Sequence, residues 1–230
     1  MLPGWMARPP ACCNTSCPSE PVNIVFDFGG VVFRWHPPSF LARVWPQRVA
    51  DEVQGAAVAA EFFENYGGDW GAFDQGLIDA PTVIERIAAR TGWPAEEVAQ
   101  VVAAVPDELQ AQAGTVALIE ALKQAGHRLF FLSNMPEPYA DHLERSQPLA
   151  QWFEQGVFSG RVKVSKPRAE IFDLACRQFG VNAQSCLFLD DHPANIEAAQ
   201  ALGWQTLLFR TPEQAREELQ ACGLFSPVAQ

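Results

Sequence analysis

Six side chains, far apart in the chain, have the types needed for one chemical site: Asp27, Ser133, Asn134, Lys166, Asp190 and Asp191. Three carboxylates gathered in a confined site repel one another unless a cation neutralises them. A hard divalent cation with oxygen ligands meets that need, and Mg2+ is the usual choice beside phosphate. Lys166 adds a positive charge, and Ser133 with Asn134 adds neutral hydrogen-bond donors. A carboxylate nucleophile, a magnesium ion, a lysine and such donors together suit phosphoryl transfer. Attack by Asp27 on phosphorus would give an aspartyl-phosphate, later hydrolysed by water. Each residue also has a plainer role open to it. Asp27 stands before glycines as turn residues do, Ser133-Asn134 could cap the next helix, Lys166 could be a surface lysine like Lys163, and Asp191 could turn the chain with His192-Pro193.

The order of the elements argues for the site. Val22, Ile24, Val25 and Phe26 make a short apolar, β-branched run bounded by Pro21 and Gly29-Gly30, which reads as a strand buried on both faces. Asp27 closes it. Further strands are expected at Arg128–Leu132, ending in Ser133-Asn134; near Gly156–Phe158; at Cys186–Leu189, ending in Asp190-Asp191; and at Gln205–Phe209. Helical spacing separates them, over Thr115–Gln124, Pro136–Ser146, Lys166–Phe179, Pro193–Leu202 and Pro212–Ala221. The third of these would open at Lys166, where the helix dipole favours anions. Strands alternating with helices imply βαβ units and a parallel sheet. Such a sheet delivers Asp27, Ser133-Asn134 and Asp190-Asp191 to one edge, where ligands bind. Residues 39 to 105 break the alternation with three or four helices, interrupted at Gly67-Gly68, Pro81 and Gly92-Trp93-Pro94.

Composition narrows the partners. The chain has 230 residues, 48% of them hydrophobic, enough for a proper core. A net charge of −11 argues against nucleic acid, which needs a basic face. No apolar run approaches the roughly 20 residues that span a bilayer. Residues 1–20 lack periodicity and a signal-peptide core, and read as a loose extension. The six cysteines contain no C-x-x-C pair. Cys12, Cys13 and Cys17 without a histidine partner make a weak metal set, and Cys176 and Cys186 read as small buried hydrophobes. A reducing, cytoplasmic setting is expected.

Four motifs in order make the chain resemble the haloacid dehalogenase-like hydrolase superfamily, over about residues 22 to 221. They are F-D-F-G-G-V-V around Asp27, F-L-S-N ending at Asn134, S-K-P-R-A-E-I-F around Lys166, and L-F-L-D-D-H-P-A-N-I around Asp190-Asp191. The resemblance implies a doubly wound, Rossmann-like parallel sheet with an inserted all-helical cap. The core would comprise residues 21–36 and 107–230, the cap residues 37–106. It implies Asp27 as nucleophile, Ser133 as the phosphate-binding hydroxyl with Asn134 beside it, and Lys166 rather than Lys163 as the phosphate lysine. Asp191 would bind Mg2+ directly, together with Asp27 and the Gly29 backbone carbonyl, while Asp190 would help from behind. The implied activity is a Mg2+-dependent phosphatase.

One departure stands out. Most phosphatases of the superfamily carry D-x-D in the first motif, and the second Asp serves as general acid/base. Gly29 occupies that position here. Its carbonyl survives, but the acid/base side chain is lost, and such help is typically worth about 10²- to 10⁴-fold in rate. His36 and His192 are candidate substitutes. Two other readings follow. A 2-haloacid dehalogenase also lacks the second Asp but needs no metal, so the pair Asp190-Asp191 argues against it. A catalytically weakened binding protein has Gly29 as its support. Arg34, Trp35 and His36, with Trp70, Phe73, Asp74 and Gln75 of the insertion, could face the leaving group; Trp70 and Phe73 could equally belong to the core of the insertion, the reading favoured for Phe73. A narrow helical cap favours small molecules such as sugar phosphates or nucleotides.

Overall fold

The computed structural model describes residues 21–225. Cys12, Cys13 and Cys17 lie outside them. Strands β1 (Asn23–Phe26), β2 (Arg128–Ser133), β3 (Gln155–Phe158), β4 (Cys186–Asp190) and β5 (Gln205–Leu208) form one parallel sheet in the order β3-β2-β1-β4-β5. Parallel sheets are covered on both faces, so their strands are apolar throughout. Alternation divides the side chains between two layers. Ile24, Phe26, Leu129, Phe131, Leu187 and Leu189 join one core, while Val25, Phe130, Leu132 and Phe188 join the other.

The chain moves outward from β1 through β2 to β3, then returns to β4 on the far side of β1. Ligand crevices form where the order reverses, outside the carboxyl ends of the strands. The register makes those ends level: Phe26 pairs with Leu189 on one side and Phe131 on the other. Asp27 and Asp190 each follow the last of those apolar pairs, and the Asp27 amide donates to the Leu189 carbonyl at 2.9 Å. Two carboxylates are thus set side by side by backbone pairing alone.

Five helices follow β1: α1 (Pro37–Val44), α2 (Glu52–Phe63), α3 (Gly68–Asp74), α4 (Ala80–Thr91) and α5 (Ala95–Glu108). Asp51 and Asp79 cap α2 and α4 by accepting from the amides of Gln54 and Thr82, and Gly92 ends α4 in the left-handed region. The sequence suggested three or four helices. The short α3, seven residues long, offers too few turns for its periodicity to register. These helices pack on one another through an aromatic cluster that includes Trp45, Phe62, Phe63, Trp70 and Trp93.

The remaining helices alternate with the strands: α6 (Ala113–Gln124), α7 (Glu137–Ser146), α8 (Leu149–Trp152), α9 (Ser159–Val162), α10 (Ala169–Phe179), α11 (Pro193–Ala201) and α12 (Pro212–Ala221). α6, α7 and α12 bury Leu118, Leu143 and Leu219 in one core; α10 and α11 bury Phe172 and Ile196 in the other. Helices therefore cover both faces, as a doubly wound fold requires. α10 starts at Ala169, so Lys166 stands on the loop before it and not at the helix start. No helix among the described residues is long and apolar enough to cross a membrane.

Candidate active site

Asp27, Asp190 and Asp191 converge at the carboxyl edge of β1 and β4, with one oxygen of each within 4.8 Å of the others. Lys166 stands among them. Its ammonium lies 2.8 Å from Asp27 Oδ1 and 2.7 Å from Asp190 Oδ2, and the residue is only 3% exposed. Burial alone would lower the lysine's pKa, but the charges of Asp190 and Asp27 outweigh it and hold the ammonium above its ordinary value.

Each acid has a distinct environment. Asp27 Oδ1 also accepts the Phe28 amide at 2.6 Å, while no described group hydrogen-bonds Oδ2. One oxygen is held and the other is open. Burial pushes the Asp27 carboxyl well above the usual range; Lys166 opposes that shift, and Asp190 and Asp191 reinforce it. Both Asp190 oxygens are occupied: Oδ1 accepts from the His192 amide at 2.7 Å, Oδ2 from Lys166, and both from Asn195 Nδ2 at 3.0 Å. Asp190 therefore has little capacity left for a direct metal bond. Asp191 sits in a recess on the solvent-facing side, where desolvation and then the Asp190 charge push its carboxyl up to about 6.

Asp191 packs directly on the second glycine of the first motif. Gly30 has φ +77°, and a Cβ there would run into Asp191 Oδ2. Gly29 differs: a Cβ would meet Trp35 at 3.5 Å, ordinary contact. Three carboxylates against one ammonium leave excess negative charge, and the open oxygens belong to Asp27 and Asp191. This donor set suits a hard divalent cation.

The other expected residues divide. The Asn134 side chain spans the Lys166 peptide: Nδ2 donates to the Lys166 carbonyl and Oδ1 accepts the Lys166 amide, both at 2.9 Å. Ser133 is fully buried at the end of β2, and its hydroxyl donates only weakly, at 3.5 Å, to the Asn134 carbonyl. Asn134 lines the cavity and Ser133, expected as the phosphate-binding hydroxyl, does not.

The cavity over these residues measures about 180 Å³. Its floor is Asp27, Gly29, Lys166 and Asp191. Its walls are largely apolar and aromatic: Trp35, Tyr66, Trp70, Val105, Leu109, Met135 and Tyr139. Trp35 Nε1 donates to the Tyr66 hydroxyl at 3.1 Å, which closes one wall. Asp74, at the end of α3, enters the same cavity.

Four of the residues named for the leaving-group side do not line the cavity. Arg34 pairs with the buried Glu108 at 3.0 Å. His36 caps α1 through the Ser39 amide and faces Glu52 at 3.4 Å. They flank Trp35 in the chain, but Glu108 draws Arg34 away and the turn into α1 carries His36 off. Phe73 is buried in the core, and the Gln75 amide bonds the Gly71 carbonyl. Asn195, which braces Asp190, is a site residue that motif spacing alone did not single out. An amide five residues after an acid, in the next helix's first turn, is the pattern that would have revealed it.

A doubly wound sheet with this acid-lysine cluster at its switch point defines a hydrolase fold, and comparison with known proteins agrees. Residues 23–203 match the family model of the haloacid dehalogenase-like hydrolases, and the chain belongs to that family. It is 26% identical over 180 residues to the sesquiterpene phosphatase astK of Aspergillus oryzae, covering 78% of this chain and 85% of that protein. Among solved structures, it resembles a family enzyme of Bacteroides thetaiotaomicron in complex with magnesium and inorganic phosphate (TM-score 0.63, 21% identity, 83% and 95% of the two chains). It also resembles L-2-haloacid dehalogenase of Xanthobacter autotrophicus (TM-score 0.61, 20% identity, 91% and 86%).

Proposed function

We propose that this protein is a cytoplasmic, Mg2+-dependent phosphatase that hydrolyses a small phosphorylated metabolite through an aspartyl-phosphate on Asp27. The observation that carries this reading is Lys166 buried between Asp27 and Asp190, with Asp191 alongside. A dehalogenase has no use for that surplus of carboxylates, which makes sense where a cation offsets it.

Asp27, Asp191 and the Gly29 carbonyl would hold Mg2+, with Asp190 fixed behind them by Asn195. The ion, when bound, supplies charge neutralisation between the anionic nucleophile and the anionic phosphate. Asp27 presents Oδ2 to phosphorus, while Oδ1, which accepts from the Phe28 amide and faces Lys166, would be its oxygen toward the metal. Lys166 stabilises charge on the phosphoryl oxygens. Asn134 fixes the lysine from the main-chain side.

The walls bear on the substrate. The sequence alone suggested sugar phosphates or nucleotides. Trp35, Trp70, Val105, Leu109 and Met135 offer such polar groups few partners and suit an apolar alcohol. The relative named as a sesquiterpene phosphatase supports the same choice. We therefore place an alkyl or isoprenoid monophosphate ahead of a sugar phosphate.

The test is a screen of phosphate monoesters, from sugar phosphates and nucleotides to alkyl and isoprenyl phosphates, with Mg2+ and with chelator. Phosphate release that requires Mg2+, favours the apolar esters and vanishes in Asp27→Asn is the expected result. Release undiminished by chelator, or retained in Asp27→Asn, would sink the mechanism.

A further inference from the structure

Gly29 leaves the reaction without an acid to protonate the departing oxygen, and the cavity holds one carboxyl that the proposed mechanism has not used. Asp74, the last residue of α3, is 7% exposed and shares the cavity with Asp27 and Lys166. Among the described residues, no group hydrogen-bonds its carboxyl oxygens. Its backbone, by contrast, is held from the core side. The Ser159 hydroxyl donates to the Asp74 carbonyl and accepts the Met135 amide at 2.9 Å. Two residues on, Lys163 ties the Gly76 carbonyl at 2.9 Å to the Gly160 carbonyl at 2.7 Å. A fixed backbone thus holds a carboxyl whose oxygens open on the cavity, where a ligand can meet them.

We propose that Asp74 is the general acid–base of this enzyme, delivered from the helical insertion to the leaving-group oxygen. The inference rests on the phosphatase reading above. In the first half-reaction, Asp27 Oδ2 forms a bond to phosphorus as the phosphorus–oxygen bond to the alcohol breaks. The electron pair goes to the alcohol oxygen, which takes the proton of the Asp74 carboxyl. In the second, the Asp74 carboxylate takes a proton from water as that water attacks phosphorus. The bond to Asp27 breaks with its electron pair returning to the carboxylate. Phosphate departs, and both acids are restored.

The surroundings suit the role. Burial pushes the Asp74 carboxyl up to about 8, opposed only by the Lys166 charge, so it holds its proton at neutral pH. Asp27 and Asp191 are the other charged groups of the cavity, and the phenols of Tyr66 and Tyr139 face it uncharged. The competing histidines are placed worse. His36 caps α1 outside the cavity, and His192, which lines the cavity, is exposed at the start of α11.

Asp74→Asn is compared with wild type on two probes in Mg2+. n-Hexyl phosphate has a poor leaving group that needs a proton; p-nitrophenyl phosphate has one that leaves without it. Hexyl phosphate turnover is expected to fall about 100-fold or more. p-Nitrophenyl phosphate should give a burst of one nitrophenolate per protein and then slow turnover, because the phosphorylated Asp27 waits for unassisted water. Asp74→Ala serves as the second variant, with the same split expected. Adding Gly29→Asp to either should restore part of the loss, since that position has room. Equal fractional losses on both probes without a burst, or no loss, would overturn the assignment alone. A wild-type protein that releases phosphate from neither probe would overturn the phosphatase reading and this inference together.

Discussion

The side-chain amide of Asn134 spans the peptide of Lys166, donating to its carbonyl and accepting its amide proton, each at 2.9 Å. A lysine on an irregular loop is thereby held as firmly as one in a strand. The loop needs this, because α10 begins only at Ala169 and offers Lys166 no helical scaffold. Asn134 itself is fixed by following the last residue of β2, so the sheet positions the lysine through a single side chain.

Asn134→Ala should therefore weaken the reaction through Lys166. A misplacement of about 1 Å near the chemistry can cost roughly 100-fold in rate, and we expect a kcat loss of about 10- to 100-fold. The lost hydrogen bonds leave a peptide partly unsatisfied, for about 1–3 kcal/mol of stability. Steady-state kinetics and urea denaturation measure both. A variant with normal kcat would mean that the loop holds Lys166 without Asn134.

How much of this was visible in the sequence depends on what fixes each part. The strands, their order of appearance and the acids at their ends were legible because backbone register and apolar runs are local signals. Asp27 and Asp190 needed only the ends of two apolar runs to be placed together. The inserted helices were legible as helices, but not which of their faces meets the core. Asp74 was one name among several cap residues, since its burial depends on Ser159 reaching from the short α9, which no periodicity announces. Arg34 and His36 were misplaced for the same reason: their distance from Asp27 in sequence is short, but the turn into α1 and the buried Glu108 decide their direction.

Asp74 makes a prediction about stability that is independent of turnover. Its carboxyl titrates at about 8 in the folded protein and near the ordinary 3.8 when unfolded. Between those values the folded state binds more protons than the unfolded one, so this group lowers stability as pH rises from about 4 to about 8. Below that window it has no effect, and above it the full penalty persists. Asp74→Asn removes the penalty while keeping the shape. In chelator, the variant should match wild type near pH 4 and exceed it by pH 8.5, by on the order of a few kcal/mol. Urea denaturation at both pH values reads the difference. A gap that does not widen with pH, or a variant less stable at pH 8.5, would show that the carboxyl is not held protonated by burial.

The two glycines after Asp27 should respond differently to the same substitution. Gly30 has φ +77°, where an L side chain is strained, and its Cβ would run into Oδ2 of Asp191 and come within 2.8 Å of its Cγ. The obstructing atoms are the end of a side chain, so Asp191 would yield, and it is the acid proposed to hold Mg2+. Gly30→Ala is expected to cost about 1 kcal/mol or more in stability from the backbone. Displacing a metal acid should also weaken Mg2+ binding, by about 10- to 100-fold if the effect resembles the loss of a ligand's support. Gly29→Ala meets only Trp35, at 3.5 Å, and leaves the backbone carbonyl in place. It should keep stability within about 0.5 kcal/mol of wild type and bind Mg2+ with unchanged affinity. Calorimetric titration of Mg2+ into both variants separates the two positions. Equal affinities in Gly30→Ala and wild type would mean that Asp191 can leave its place over Gly30 without loss, and would remove it from the metal site.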